Sequence, residues 1–139
     1  MNTDSIALVR QSWAKVAPIA PHAATLFYDR LFTLDPGLKP LFTGDMGAQG
    51  AKLMQMIGVA VGKLDEIPVL LPMLRNLGRR HAGYGVKDHH YETVAAALLS
   101  TLAKGLGDEF TPEVRAAWIQ VYGVIADTMR TAAHVHAEA

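Results

Sequence analysis

The sequence predicts an all-helical domain, and three observations support this. Apolar residues recur three and four positions apart, which is the period of a helix with one buried face. Runs that alternate apolar and polar residues, which are typical of strands, are scarce. Prolines, glycines and polar links divide the chain into seven helical segments without an internal repeat. Because the segments differ in length, we expect about seven helices that cross steeply, not an up-and-down bundle.

The first three segments have clear boundary signals. The first is predicted over about 3–17 and stops before Pro18. The second starts near Pro21, because a proline costs little in the first turn of a helix. A short helix is predicted in LDPGLKPLF, where Asp35 can cap the start and Pro40 bends the chain before Phe42.

The remaining four segments are separated by glycines and polar residues. A long amphipathic helix is predicted over about 47–64, and a shorter one begins around Ile67 and ends before Gly83. The sixth segment is expected to be capped by Asp88. The last opens with the start signal of Thr111, a proline and a glutamate.

Composition excludes several classes of function. A chain of 139 residues, 50% of them hydrophobic, can bury roughly two-thirds of its unfolded surface, so we expect one domain over 1–139. Thirteen basic residues balance 13 acidic ones, which argues against a nucleic-acid partner. Without cysteine there is no disulfide or thiolate site, and histidine and carboxylate remain as metal ligands.

The sequence does not predict a membrane protein. Its longest apolar stretches are interrupted by Lys52, Lys63 and Asp65, well short of the ~20 apolar residues that a spanning helix needs. The N-terminus lacks a basic segment followed by an apolar run, so no export is expected. We therefore expect a cytoplasmic protein.

His81 is a candidate ligand for a metal or cofactor. It lies near the end of an apolar helical face that includes Leu74 and Leu77. A histidine of this kind, taken alone, is more often a packed or surface residue than a ligand. The wider pattern adds four residues on other segments: Tyr28, Phe42, Gln49 and Leu53.

Four motifs carry a resemblance to a known family, in the order and at the spacing of that family. They are LFYDRLFTLDPGLKPLF, MGAQGAKLMQMI, LGRRHAGYGVKDHHY and FTPEVRAAWIQVYGVIAD. The chain resembles the globins, in particular the bacterial single-domain globins that are similar to the haem domain of flavohaemoglobins and to neuroglobin. The resemblance covers nearly the whole chain. It implies a globin fold around haem b.

The resemblance assigns roles on both sides of the haem. His81 matches the proximal ligand, and a neutral imidazole suits iron because it supplies a nitrogen lone pair without adding charge. Phe42 matches the aromatic residue that wedges against the haem. Tyr28 and Gln49 match the distal pair, whose donors stabilise the negative charge that bound dioxygen acquires. Leu53 matches a steric gate.

Each distal assignment has a simpler alternative. Tyr28 could be a core tyrosine whose hydroxyl bonds to backbone, and Gln49 could point to solvent. Gly50 and Ala24 are expected to let the second and third long helices cross closely, which is a packing role.

Further residues match the margins of the haem site. Lys52 and Arg80 are candidates for the haem propionates, and are equally well explained as solvated surface charges. Val86 and Tyr91 match proximal contacts. The other histidines are expected to face water: His22, His89, His90, His134 and His136.

One departure from the flavohaemoglobin pattern bears on function. Ala133 stands where that type has a glutamate, whose carboxylate would polarise the proximal imidazole. The absence of this carboxylate puts peroxidase-like cleavage of an O–O bond and efficient dioxygenase turnover in doubt.

Three functions remain open at this point. They are reversible dioxygen binding for storage, delivery or sensing; nitric oxide dioxygenation with an external reductase; and a haem-free signalling module. Carbon monoxide and nitric oxide are the other expected ligands. The sequence leaves the oligomeric state open.

Overall fold

A computed structural model describes residues 2–42, 44–83 and 85–138 of the chain, and side chains as far as Ala133. These residues form six α-helices and three short 3₁₀ helices. The α-helices are α1 Thr3–Val16, α2 Ala20–Leu34, α3 Met46–Gly62, α4 Ile67–Gly83, α5 Asp88–Leu106 and α6 Pro112–Glu138. The 3₁₀ helices span Ala17–Ile19, Pro36–Leu41 and Gly107–Glu109. The described residues contain no strand, and the all-helical prediction is confirmed. Nothing in this part of the chain is both long and apolar enough for a transmembrane helix.

The seven predicted segments correspond to the six α-helices and the Pro36–Leu41 3₁₀ helix. The Asp35 side chain caps this short helix as predicted, accepting a hydrogen bond from the Gly37 N–H at 3.0 Å. The first segment ends before Pro18 as predicted, since α1 stops at Val16. The chain continues through this proline as a 3₁₀ turn, since a missing N–H is tolerated at a helix start.

The predicted cap of α5 is wrong. Lys87, with extended backbone angles, occupies the cap position, and Asp88 is the first helical residue. The Lys87 N–H donates to Nδ1 of His90 at 2.9 Å. Asp88 still lies in the first turn, where a carboxylate is favourable beside the positive end of the helix.

The core lies where α1, α2, α4, α5 and α6 meet. α6 packs extensively on both α4 and α1, and α2 packs on α5 and α3. Side chains from five helices are essentially fully buried: Val9, Leu31, Leu70, Leu102 and Val121. α3 and α4 each carry partly buried apolar side chains that pack against this core: Leu53 and Ile57 on α3, and Met73 and Leu77 on α4.

Candidate functional site

Four aromatic rings cluster where α2 meets the Pro36–Leu41 helix. Tyr28 is buried, with 8% of its surface exposed, and its ring centroid lies 5.3 Å from those of both Phe27 and Phe42. Phe32 stacks on Tyr28 at 5.9 Å and meets Phe42 edge-on at 5.4 Å. These contacts fix the ring of Tyr28 in one place and leave Phe42 partly exposed.

The crossing of α2 and α3 places Tyr28 beside the helix that carries Gln49. A Cβ added to Gly50 would lie 2.9 Å from the Ala24 Cβ and 3.7 Å from Cε2 of Tyr28. The predicted close approach of Gly50 and Ala24 is therefore present. Gln49 and Leu53 lie one turn apart on α3, and both are partly buried. Burial raises the pKa of Tyr28, so its phenol keeps its proton and remains a donor.

His81 lies in the last full turn of α4 and is partly buried. Its Nδ1 lies 2.9 Å from the Leu77 carbonyl oxygen, an acceptor that requires the proton on Nδ1 and leaves the lone pair on Nε2. Burial lowers the pKa of the imidazole, the Leu77 carbonyl partly offsets this, and the Arg80 guanidinium adds to the lowering. The ring is therefore the neutral, oriented kind that binds a metal through one nitrogen.

The turn after α4 ties Val86 to His81. The Val86 N–H donates to the His81 carbonyl at 3.1 Å, and Gly85 makes the reversal possible with a φ of +91°. A Cβ on Gly85 would lie 3.6 Å from Cδ2 of Leu41, the neighbour of Phe42. The turn that carries Val86 thus adjoins the short helix that precedes Phe42.

Tyr91 is buried on α5, and its hydroxyl has no hydrogen-bond partner in the described part of the protein. Its carbonyl accepts a 2.6 Å hydrogen bond from the Tyr122 hydroxyl, and the Arg130 guanidinium lies 5.7 Å from its ring centre. Burial raises the pKa of both tyrosines. Ala133, where a glutamate would be expected, is partly buried and offers no carboxylate.

Sequence reasoning missed Tyr122 and Arg130. Tyr122 follows the buried Trp118 by one helical turn, so the periodicity of α6 contained a signal for it. Arg130 carried no such signal, because its contact with Tyr91 depends on how α5 and α6 pack.

Four of the remaining predicted residues are exposed. Lys52 and Arg80 are exposed, next in sequence to Leu53 and His81. His22 and His89 are exposed as expected. His90 is partly exposed, and its ring accepts the Lys87 N–H in a solvent-exposed hydrogen bond. The side chains of His134 and His136 lie outside the described residues.

The residues present suit a large, flat, mostly apolar group. Phe42, Leu53 and Val86 pack against the core with part of their apolar surface uncovered. A neutral imidazole stands at the end of α4. The buried Tyr91 hydroxyl is a donor that still needs an acceptor. Together these features fit a haem.

Comparison with known proteins supports this assignment. Residues 25–129 match the family model described as Globin, and this range includes every predicted site residue. The chain is 34% identical over 137 residues to neuroglobins of Danio rerio and Dissostichus mawsoni, and 36% identical to that of Tetraodon nigroviridis. Each match covers 88% of this chain and 86% of the relative. These relatives are vertebrate proteins, so the resemblance to bacterial globins and flavohaemoglobins stays a prediction.

Proposed function

The chain belongs to the globin family, whose members bind gaseous ligands through haem, and we propose that it binds dioxygen reversibly at a haem b held by His81. The observation that carries the proposal is the His81 imidazole, neutral and oriented by the Leu77 carbonyl at the end of α4. When bound, the haem supplies an iron that coordinates the gas. The other roles belong to this chain's own side chains.

Apolar side chains hold the haem and exclude water from it. Phe42, Leu53 and Val86 offer partly uncovered surfaces that the porphyrin would bury. Lys52 and Arg80 are exposed and adjoin Leu53 and His81 in the sequence, so they would pair with the two solvated carboxylate side arms of the haem. The buried Tyr91 hydroxyl would gain a hydrogen-bond acceptor from a carboxylate of the haem or from a group near His81.

Tyr28 and Gln49 provide the polar side of the gas pocket. Tyr28 keeps its proton and is fixed by three aromatic neighbours, so its hydroxyl can donate without reorganising. Gln49 adds an amide N–H on the adjoining helix. Because an amide is a poor iron ligand, we expect five-coordinate iron in the resting ferrous protein, with its sixth position open to dioxygen, nitric oxide or carbon monoxide.

A second candidate is nitric oxide dioxygenation in the cytoplasm. Dioxygen held by Tyr28 would combine with nitric oxide to give nitrate, and a separate reductase would return the electron that the iron loses. The buried, protonated Tyr28 favours this reaction because it slows escape of dioxygen before nitric oxide arrives. Ala133 supplies no carboxylate to polarise the proximal imidazole, which disfavours fast turnover. We therefore rank reversible dioxygen binding above nitric oxide dioxygenation.

The direct test is spectroscopic and uses the full chain produced with haem available. We expect a Soret band, a five-coordinate ferrous spectrum, and reversible conversion on adding and removing dioxygen. His81→Ala should lose haem, or hold it weakly and recover a normal spectrum with added imidazole, whereas the exposed His22→Ala should not change it. Full haem retention in His81→Ala with unchanged axial coordination contradicts the ligand assignment. Absence of a Soret band would favour the haem-free signalling module.

Nitric oxide consumption separates the two gas-binding functions. The ferrous oxygenated protein is mixed with nitric oxide, and nitrate is measured with and without a reductase. Repeated turnover that needs the reductase supports the enzyme. A single conversion per haem that the reductase does not extend supports reversible binding alone.

A further inference from the structure

Asp35, His89 and His90 bring three metal-binding side chains together at the surface. One ligand atom from each residue lies within 4.8 Å of the other two. Asp35 stands at the junction between α2 and the Pro36–Leu41 helix, and the two histidines lie in the first turn of α5. We propose that this cluster, here called the DHH site, binds a divalent transition metal, zinc in the first instance, independently of haem.

The donor set selects the class of metal. Two imidazole nitrogens and one carboxylate oxygen suit Zn²⁺, which takes three protein ligands and a water in a tetrahedral arrangement. Mg²⁺ and Ca²⁺ prefer oxygen ligands, so they should compete poorly. The sequence has no cysteine, and therefore no thiolate elsewhere on the chain competes for the ion.

The side chains need only a modest adjustment to close on an ion. Bonds of about 2.0–2.1 Å in a tetrahedron put neighbouring ligand atoms roughly 3.3 Å apart, so atoms now within 4.8 Å must move by about 1.5 Å at most. The rings of His89 and His90 already lie 4.3 Å apart, centre to centre, at 57°. His89 is exposed, and Asp35 and His90 are partly exposed, so side-chain rotation is unhindered by a packed core.

Two existing hydrogen bonds bear on the geometry. One oxygen of Asp35 caps the Gly37 N–H, which leaves the other carboxylate oxygen for the ion. Nδ1 of His90 accepts the Lys87 N–H, so this ring must exchange that bond for the metal. The bond is solvent-exposed, and water can replace the ring at Lys87.

Burial and the neighbouring charged groups shift the pKa of the His90 imidazole. Burial lowers this pKa most, the neighbouring His89 and Lys87 lower it further, and Asp35 raises it. A metal here would link the short helix that leads to Phe42 with the turn of α5 that carries Tyr91.

The test is zinc binding to the haem-loaded full chain, measured by titration calorimetry with zinc chloride in millimolar magnesium. We expect one zinc per chain, and about tenfold or greater weakening in each of Asp35→Asn, His89→Ala and His90→Ala. Asp35→Asn retains a side-chain oxygen that can cap Gly37, so it tests the charge with the short helix intact. The matched control is His22→Ala, which changes an exposed histidine on α2 and should leave binding unaltered.

Two further measurements keep the outcome decisive. For each variant, a haem absorption spectrum and a melting temperature that are unchanged without zinc show that the chain folds. Zinc-edge X-ray absorption of the unaltered protein reports the ligands of the zinc without interference from the haem iron. Two imidazoles and a carboxylate at about 2.0–2.1 Å support the DHH site even if a variant misfolds. Absence of one-to-one binding, unaltered binding in all three variants, or loss of binding only when His134 and His136 are both replaced by Ala would overturn it.

Discussion

The backbone of Gly78 lies directly against the backbone of Met129, so closely that a side chain at position 78 would overlap the Met129 carbonyl oxygen. Gly78 is buried on α4, one turn before His81, and Met129 is buried on α6. The contact therefore fixes how near α4 approaches α6. Through α4, it also fixes where the His81 imidazole stands.

Gly78→Ala is expected to destabilise the protein by about 1–3 kcal/mol, because the added Cβ meets backbone, which cannot rotate away as a side chain can. It should also speed haem loss, since α4 must move outward with His81. Urea unfolding and haem transfer to an excess of acceptor apoprotein measure the two effects.

Gly123→Ala is the matched control for Gly78→Ala. It makes the same change inside α6, where nothing lies within 4 Å of the added Cβ. Alanine loses less backbone conformational freedom on folding than glycine, so Gly123→Ala should raise the unfolding free energy by about 0.5–1 kcal/mol. Equal effects of the two substitutions would show that the Gly78 contact is not what limits the spacing of the helices.

Local features of the fold were predictable from the sequence, whereas contacts that depend on how helices pack were not. The periodicity of apolar residues predicted the helices, because burial on one face shows in the order of residues; Leu70 and Leu74 are examples. The cap at Asp35 was predictable because it acts on a residue only two positions away. The Gly78 contact was not, because it joins backbones 51 positions apart and depends on how two helices cross.

The crossing of α2 and α3 is testable by exchange of its two small residues. Gly50→Ala brings a Cβ to 2.9 Å from that of Ala24, so we expect a loss of about 1–3 kcal/mol in unfolding free energy. Ala24→Gly in the same chain removes the opposing Cβ and should recover most of the loss. The variants are compared by urea unfolding, and failure of the double variant to improve on Gly50→Ala would show that the strain lies elsewhere.

A buried hydrogen bond between α1 and α6 offers a third test. The Trp118 indole donates to the Ser12 hydroxyl at 2.8 Å, and both side chains are buried. Ser12→Ala leaves the indole N–H without its acceptor, which should lower the unfolding free energy by about 1–3 kcal/mol. Trp118→Phe, alone and combined with Ser12→Ala, isolates the pairwise energy. If the effects of the two substitutions on the unfolding free energy were additive, the hydrogen bond itself would contribute nothing. The rate of dioxygen release should be unaltered in Ser12→Ala.

The sharpest mechanistic prediction concerns the Tyr28 hydroxyl. Tyr28→Phe preserves the ring that packs on Phe32 and Phe42, so it removes the donor without opening a cavity. A hydrogen bond to a partly charged oxygen contributes about 1.5–3 kcal/mol, so its loss should speed dioxygen dissociation roughly tenfold or more. Stopped-flow replacement of dioxygen by carbon monoxide measures this rate.

Carbon monoxide separates a polar effect of Tyr28 from a steric one. It acquires little charge in the pocket, so its own dissociation should barely change in Tyr28→Phe, whereas a wider passage would release both gases faster. Gln49→Leu tests the amide in the same way, and the double variant gives the coupling between the two donors. If Tyr28→Phe left dioxygen dissociation unaltered, or shifted both gases equally, hydrogen bonding by Tyr28 would not control release. Steric access past Leu53 would then be the determining feature, and Leu53→Ala should accelerate both gases alike.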